Sequence, residues 1–422
     1  MKVNKLKTIE RNQSKQFLGL PMTLIWGYVA VAVFMTGDGI EQAFLSKYIQ
    51  HIGFSASQAS TVLTTYGLVV AIASWLSGVL AEVFSPRRLM TFAFITWIVF
   101  HVGFLVLGLE TQNYMMMVIM YSIRGLAYPM FIYSFVVWIT YSAPPQRLAS
   151  AMGWFWAMYS VGIGVLGSYL PSFTIPFIGF MGTLWSSIIF IAIGGLMAFF
   201  LVKDQKGKVK ESDKLNAKEM FGEILRGVTI LRNPQIAIAC VVRIINQLSL
   251  FGLVAFMPSV FTDDFGFSTS QWLQIWGFMY IVTIFTNLFW GIVGDKIGWV
   301  KQIRWFGCIG MAVSTLAFYY VPLWFGPNFW ITCIVAIAFG FAVAAFVPMS
   351  AIFPTLEPTH KGAAVSIHNL SAGLSNFLGP AIATIVLMFS NALTTIWVYA
   401  AIYCIGFVLT FFMKVKQPSL QK

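Results

Sequence analysis

The sequence predicts an all-α membrane protein, with twelve membrane-crossing helices arranged as two pseudo-symmetric six-helix bundles. Three observations predict it. The chain of 422 residues is 59% hydrophobic and only 9% charged, with a mean hydropathy of +0.81. A soluble globular domain carries about 25% charged residues, so this chain needs an apolar solvent. Twelve apolar runs of spanning length are split six and six by one long charged loop, and the second half repeats motifs of the first.

Taken in order, a polar basic tail (1–18) precedes the first apolar run. That run could imitate a signal peptide, but it lacks a small-residue cleavage site and continues past Glu41, so it reads as a span. A helix needs about 20 apolar residues to cross the hydrocarbon. The runs 19–48, 56–83, 88–109, 113–140, 147–171 and 180–202 meet that length and form an N-terminal bundle over 19–202. The loop 203–232 is charged and includes an expected amphipathic helix over 217–231. The runs 233–260, 270–296, 301–323, 328–354, 361–389 and 392–414 form the C-terminal bundle over 233–414, and 415–422 is a tail. Lys and Arg set the orientation. With the N-terminus cytoplasmic, 23 of the 26 fall on the cytoplasmic side, Lys47 stands at an outer helix end, and Arg124 and Arg243 lie inside spans. The expected location is therefore a bacterial inner membrane, with both termini cytoplasmic. The net charge of +12 then serves an anionic inner leaflet and calls for no nucleic-acid partner. The four cysteines are scattered through apolar runs without CxxC spacing and read as small apolar residues. No metal and no cofactor beyond a coupling proton is expected, and the chain is expected to be a monomer.

The repeat is explicit. Gly53-Phe-Ser-Ala-Ser-Gln58 precedes the second span and Gly266-Phe-Ser-Thr-Ser-Gln271 the eighth, an offset of 213. At that offset Gly78 matches Gly291 and Glu82 matches Asp295. Two parallel repeats around a long central loop are the arrangement of a transporter that rocks about a central site. The stretches Gly78–Arg88 and Gly291–Lys301 resemble the signature loop of the major facilitator superfamily: a glycine, three residues, an acid, then basic residues. A small glycine admits a neighbouring helix, and an acid at a helix end can pair with a base. Glu82, Arg87 and Arg88 in the first copy, and Asp295 and Lys296 in the second, are thus expected to latch the inner side. The second copy is expected to be the better formed, because the first has Val83 where a base is usual and Pro86 near the usual glycine.

The stretches Ile25–Gly39, Ile123–Pro129, Gly153–Gly164, Val242–Asn246 and Asn369–Pro380 resemble the polyol permeases, bacterial ribitol and D-arabinitol transporters of that superfamily. The resemblance runs from about residue 18 to about residue 417. It implies uptake of a linear sugar alcohol together with protons. Arg124-Gly125 resembles the superfamily's fourth-helix arginine motif, which that family links to proton coupling.

Ionisable side chains at bilayer depth are costly and mark function by default. Here they are Asp38, Glu41, His101, Arg124, Arg243 and His368. Asp38 and Glu41 are three apart and share a helix face. Either could accept polyol hydroxyls or carry the coupled proton, since desolvation disfavours a charged carboxylate. Arg124 is expected to form an ion pair, for example with Asp38. The C-terminal half has no mid-span acid for Arg243, which should meet Asp38 or Glu41 across the cavity, a carbonyl, water or an anionic substrate. Asn246, Gln247, His368, Asn369 and Asn376 are the candidate polar partners for hydroxyls, and Tyr128, Trp156, Tyr159 and Trp276 the candidate aromatic faces. His101 is expected to be structural. Pro129 and Pro348 are expected to kink their helices. No soluble catalytic domain, Walker loop or nucleophile elbow is present, so the chain does not read as an enzyme. Alternatives to a polyol:proton symporter are a symporter of a small organic anion read by Arg124 and Arg243, an exporter, and a non-transporting receptor. The exporter is disfavoured because its usual fifth-helix Gly-Pro is missing and the expected fifth span has no internal proline.

Overall fold

The computed structural model describes residues 16–17, 20–21, 24–142, 148–202, 229–358 and 361–417. Among these, ten helical stretches are long and apolar enough to cross a membrane. One of them, Trp154–Phe200, has 47 residues and is broken at Gly179 (φ 69°), so it crosses twice. The first span is divided by an irregular turn, and counting it brings the crossings to twelve. We number them α1 (Ile25–Gly39, then Leu45–His51), α2 (Ala56–Phe84) and α3 (Pro86–Gly103, continuing as a π-helix over Phe104–Glu110). Next are α4 (Tyr114–Arg124 and Ala127–Ser142), α5 (from Leu148 to the Gly179 break) and α6 (from Gly179 to Phe200). The second half has α7 (Pro234–Asn246, Leu248–Leu253 and the short turns to Asp264), α8 (Thr269–Ile297) and α9 (Trp299–Phe325). It ends with α10 (Phe329–Ala344 and Met349–Leu356), α11 (Lys361–Phe389) and α12 (Ala392–Leu409).

Local chemistry explains the starts. Ser55 and Gln58 form a capping box on α2, and Ser268 and Gln271 form the same box on α8, with bonds of 2.9 and 3.1 Å in each. The preceding Gly53 and Gly266 both have positive φ, 107° and 76°. Only glycine adopts this freely, so the repeated motif is a repeated turn. Asn113 and Asn328 cap α4 and α10 in the same way. The α2–α3 and α8–α9 turns also match: Ser85 (φ 71°, ψ 142°) and Gly298 (φ 100°, ψ 128°) are 213 apart.

Three expectations need correction. The first span begins at Ile25 rather than at 19, because Leu20–Pro21 pairs with Gln16–Phe17 as a short antiparallel ladder. Pro21 has no N–H for a helix. The fifth span runs past 171, and its last turns contain Pro171 and Pro176, so the fifth-helix proline argument against an exporter lapses. The interruptions in α4 and α10 fall at Gly125–Leu126 and at Ala345–Pro348, next to the prolines rather than as smooth kinks. The amphipathic helix expected over 217–231 lies almost entirely outside the described residues, as do both tail ends.

The halves meet along two ladders. On α2 and α11, Ser57 and Ser60 donate to Thr384 O and Pro380 O, and Thr64 pairs with Thr384 at 3.1 Å. Deeper in, a Cβ on Gly67 would clash with the Asn376 and Phe377 backbone, and one on Gly373 would sit 2.7 Å from Ala71 Cα. On α5 and α8, Ser270 donates to Ser172 O at 2.7 Å, Gly277 faces Tyr169 and Ser168, and Gly164 faces the Tyr280 ring. All cross-half hydrogen bonds among the described residues lie toward the face away from the basic loops, which we call the far face. Trp156, two turns from Gly164 on the same α5 face, is 44% exposed, and a Cβ on Gly291 of α8 would meet nothing within 4 Å. The hydrogen bonds between the halves that the described residues make are thus gathered toward the far face.

Candidate substrate and proton site

The interrupted helices are α1, α4, α7 and α10, the first of each three-helix unit, and the intramembrane charges sit at three of these breaks. A break frees backbone groups that must find partners, and a packed protein interior can supply them.

In the N-terminal half, α1 is wedged between α5 and α6. Gly39 packs on the Ile163 backbone, Gly167 on Gly39, and Gly37 on Ser187 and Ile191. The glycines flanking Asp38 therefore admit neighbouring helices, not a ligand. This close packing buries Asp38 and Glu41 completely. Glu41 takes both ends of the Arg124 fork, through Nη1 at 2.9 Å and through Nη2. A bidentate guanidinium–carboxylate pair is the strong form of this interaction. Arg124 Nη1 also donates to His101 Nδ1 at 2.7 Å. That leaves the imidazole proton on Nε2, which faces Leu184 O at 3.2 Å and Ser187 Oγ at 3.1 Å. The guanidinium is enclosed by Tyr121, Trp97 and Tyr66, with ring centroids at 4.4, 4.8 and 5.5 Å. Arg124 thus pairs with Glu41 rather than Asp38. His101 is buried in the middle of the network, not set on an outer face.

Asp38 is left without an ion pair. Its Oδ1 accepts from Trp97 Nε1 at 2.7 Å, and its Oδ2 is buried with no hydrogen-bond partner. Sequence reasoning passed over Trp97. The signal was available: Trp97 and His101, four apart, share one face of α3, as Asp38 and Glu41, three apart, share one face of α1.

In the C-terminal half, Arg243 Nε donates to His368 Nε2 at 3.1 Å and Nη1 to Gln247 Oε1 at 3.2 Å. His368 Nδ1 lies 3.3 Å from Asn369 Oδ1. Among the described residues no carboxylate lies within ion-pair distance of Arg243, so neither Asp38 nor Glu41 reaches it. Neutral groups hold it instead. Asn246 is buried and its Oδ1 has no partner. Tyr128, hydrogen-bonded to Tyr159, is near enough to both Asp38 and Arg243 to feel their charges. Asn376 lines a cleft between the halves with Gln42, Leu63, Tyr66, Tyr121 and Phe251. Tyr66 and Tyr121 separate that cleft from Arg124.

Other candidate residues lie elsewhere. Trp276 is 2% exposed and packs with Phe318 and Phe339 in the core of the C-terminal half, because its position on α8 faces α9 and α10. Trp156 is exposed beside Tyr159. Arg87 serves its own half: it donates to Phe199 O and lies over the Phe199 ring, capping the end of α6. Arg304 repeats the device on α12, with bonds to Thr410 O at 2.9 Å and Oγ1 at 3.0 Å. A cation at a helix C-terminus is favourable. Arg88 and Lys296 are exposed, and Gly291 is not a contact point. Gly78, Glu82 and Asp295 are helical, but their side-chain surroundings lie outside the described residues. Two cross-half features were missed. Lys47, noted only for its outer position, pairs with Asp263 at 2.6 Å and with Thr262. Trp272 donates to Ala43 O at 2.7 Å. Residue type alone does not mark either, since the partner comes from the other half.

Breaks in the first helix of each unit, a repeat at 213, and buried charge beside an inter-half cleft are the features of a membrane transporter built from two repeated halves. The chain belongs to the Major Facilitator Superfamily, whose model matches residues 27–349 and 239–422. It is a multi-pass membrane transporter and not an enzyme. It is 54% identical over 407 residues to the ribitol transporter of Klebsiella pneumoniae, covering 96% of this chain and 95% of that one. It is 52% identical to the D-arabinitol transporter of Klebsiella pneumoniae, covering 96% of each. The alpha-ketoglutarate permease of Bacillus subtilis (strain 168) is 39% identical, over 95% of this chain and 92% of that one.

Proposed function

We propose that this chain imports a linear polyol of the ribitol or D-arabinitol type by proton symport, with alternating access between its halves in a bacterial inner membrane. The substrate class rests on the two relatives above 50% identity. The coupling rests on one observation: Asp38 is a buried carboxyl outside any ion pair, with one oxygen unbonded, because Arg124 is already held by Glu41. Such a group can take up and release a proton without breaking the buried pair beside it. Arg243, Gln247, His368 and Asn369 would supply donors and acceptors for hydroxyls, and Tyr128, near both Arg243 and Asp38, would offer an aromatic face. With the basic face cytoplasmic, the hydrogen bonds that tie the two halves lie toward the outside. The basic loops would then meet anionic lipid, the partner in the cycle is one small polar molecule, and a monomer suffices.

The test is uptake into proteoliposomes of pentitols, hexitols and dicarboxylates, with and without an imposed pH gradient. Ribitol or D-arabinitol accumulation that needs the gradient is the expected result. Asp38→Asn should abolish gradient-driven accumulation while keeping substrate exchange; normal accumulation by that variant moves the proton site elsewhere. A second reading is favoured by Arg243, which has no carboxylate partner among the described residues: a symporter of a small organic anion. A dicarboxylate that outcompetes labelled ribitol would select it.

A further inference from the structure

Each half donates one buried side-chain hydrogen into the broken first helix of the other. Ser46 Oγ donates to Val254 O at 2.8 Å, and Trp272 Nε1 donates to Ala43 O at 2.7 Å. Val254 lies in the break of α7 and Ala43 in the break of α1. These breaks are pseudo-equivalent, since Glu41 and Val254 are 213 apart. In the α1 break, Ile40–Phe44, the helical ladder is interrupted and carbonyls need outside partners. The same five residues carry Glu41, whose side chain grips Arg124 and whose carbonyl accepts from Phe44 N and Leu45 N at 3.1 and 2.8 Å. The buried ion pair and the inter-half bond are therefore two residues apart on one tightly bonded turn.

A core tryptophan needs some acceptor for its N–H. Trp290 of the same helix finds one inside its own half, Phe341 O at 2.8 Å. Trp272 finds one across the interface, although its ring stacks on Trp276 within the C-terminal half. The far-face ion pair, Lys47–Asp263, has its acid 63% exposed and is screened by solvent. We infer that Trp272 is a positioning residue of the transport cycle: its bond to Ala43 ties closure of the far face to the state of the Glu41–Arg124 pair. The coupling extends the symport reading, which gives it its purpose, but its test needs no substrate.

The full chain is reconstituted with the exposed Cys404 replaced by Ser and with Leu63→Cys in the wall of the inter-half cleft. A membrane-impermeant maleimide added at the far face reports opening. Trp272→Phe keeps the ring and removes the N–H, and should speed labelling about fivefold, as expected for one hydrogen bond. Glu41→Gln and Arg124→Lys should each speed labelling in the Trp272 chain and add nothing in the Trp272→Phe chain, a non-additive cycle. Arg124→Lys keeps the buried charge, so it carries the cycle if Glu41→Gln does not fold. Trp290→Phe, which loses an indole bond inside one half, should leave the Glu41 and Arg124 effects intact. An unchanged rate in Trp272→Phe, or effects that simply multiply, overturns the inference. A chain that takes up no polyol but shows the non-additive cycle sinks the polyol reading alone.

Discussion

Glu41 and Asp38 have the same chemistry, sit three residues apart and are equally buried, yet the fold gives them different partners. Glu41 holds both ends of the Arg124 fork, whereas Asp38 has one indole N–H and an unbonded oxygen. Removing one partner of a buried pair leaves an uncompensated charge, which costs about 3–5 kcal/mol. Glu41→Gln should therefore lower unfolding stability in detergent by that amount, with Asp38→Asn costing far less. Equal losses in the two variants, read by thermal unfolding, would contradict this division of roles. The spacing of Asp38, Glu41 and Arg124 was legible in the sequence, but their pairing was not. Helix periodicity places residues on a face without saying which residue of another helix comes opposite, and here α3 and α6 decided it through Trp97, His101 and Ser187.

At the scale of the element, the repeat is written into turns as well as helices. Gly298 and Ser85 hold equivalent positive-φ positions at the starts of α9 and α3. A non-glycine residue held there costs about 1–3 kcal/mol of backbone strain. Ser85→Gly should therefore raise the melting temperature, and Gly298→Ala should lower it. A stabilised Gly298→Ala would show that the two turns are not equivalent. The capping boxes and the glycine turns before α2 and α8 could be read directly from sequence, because their chemistry lies within six residues. The breaks in α1 and α7 could not. No proline or glycine lies within Ile40–Phe44, and one of its carbonyls, Ala43 O, finds its partner in the opposite half of the molecule.

Across the whole molecule, the far face is held by small side chains at close range. Serines and threonines bridge α2 to α11, glycines let backbones touch, and Lys47 spans to Asp263. The Lys47–Asp263 pair is partly exposed and worth up to about 1 kcal/mol. Lys47→Ala should then raise far-face labelling of Leu63→Cys by at most about fivefold. The charge-swapped double variant Lys47→Asp with Asp263→Lys should restore the slow rate. A swap that labels as fast as the single variant would assign the closure to the buried contacts alone. On the basic face the contacts thin out: Arg87 and Arg304 are engaged in capping α6 and α12 within their own halves, and neither bridges the interface. The expected inner latch is therefore not assembled from Arg87 in this form.

The sequence by itself determined the solvent, the number of crossings, the two-fold repeat and the short set of intramembrane charges. These follow from composition, run length and local motifs, which act within one helix or one turn. Tertiary structure decided which acid meets which base, that Trp272 rather than Trp290 of α8 bonds across the interface, and where the two halves are tied. Those outcomes depend on helix rotation and on contacts between residues up to 327 positions apart, such as Ser57 with Thr384. Many pairings of the same side chains satisfy the same periodicity, and only packing of glycine-lined helices at backbone contact selects one.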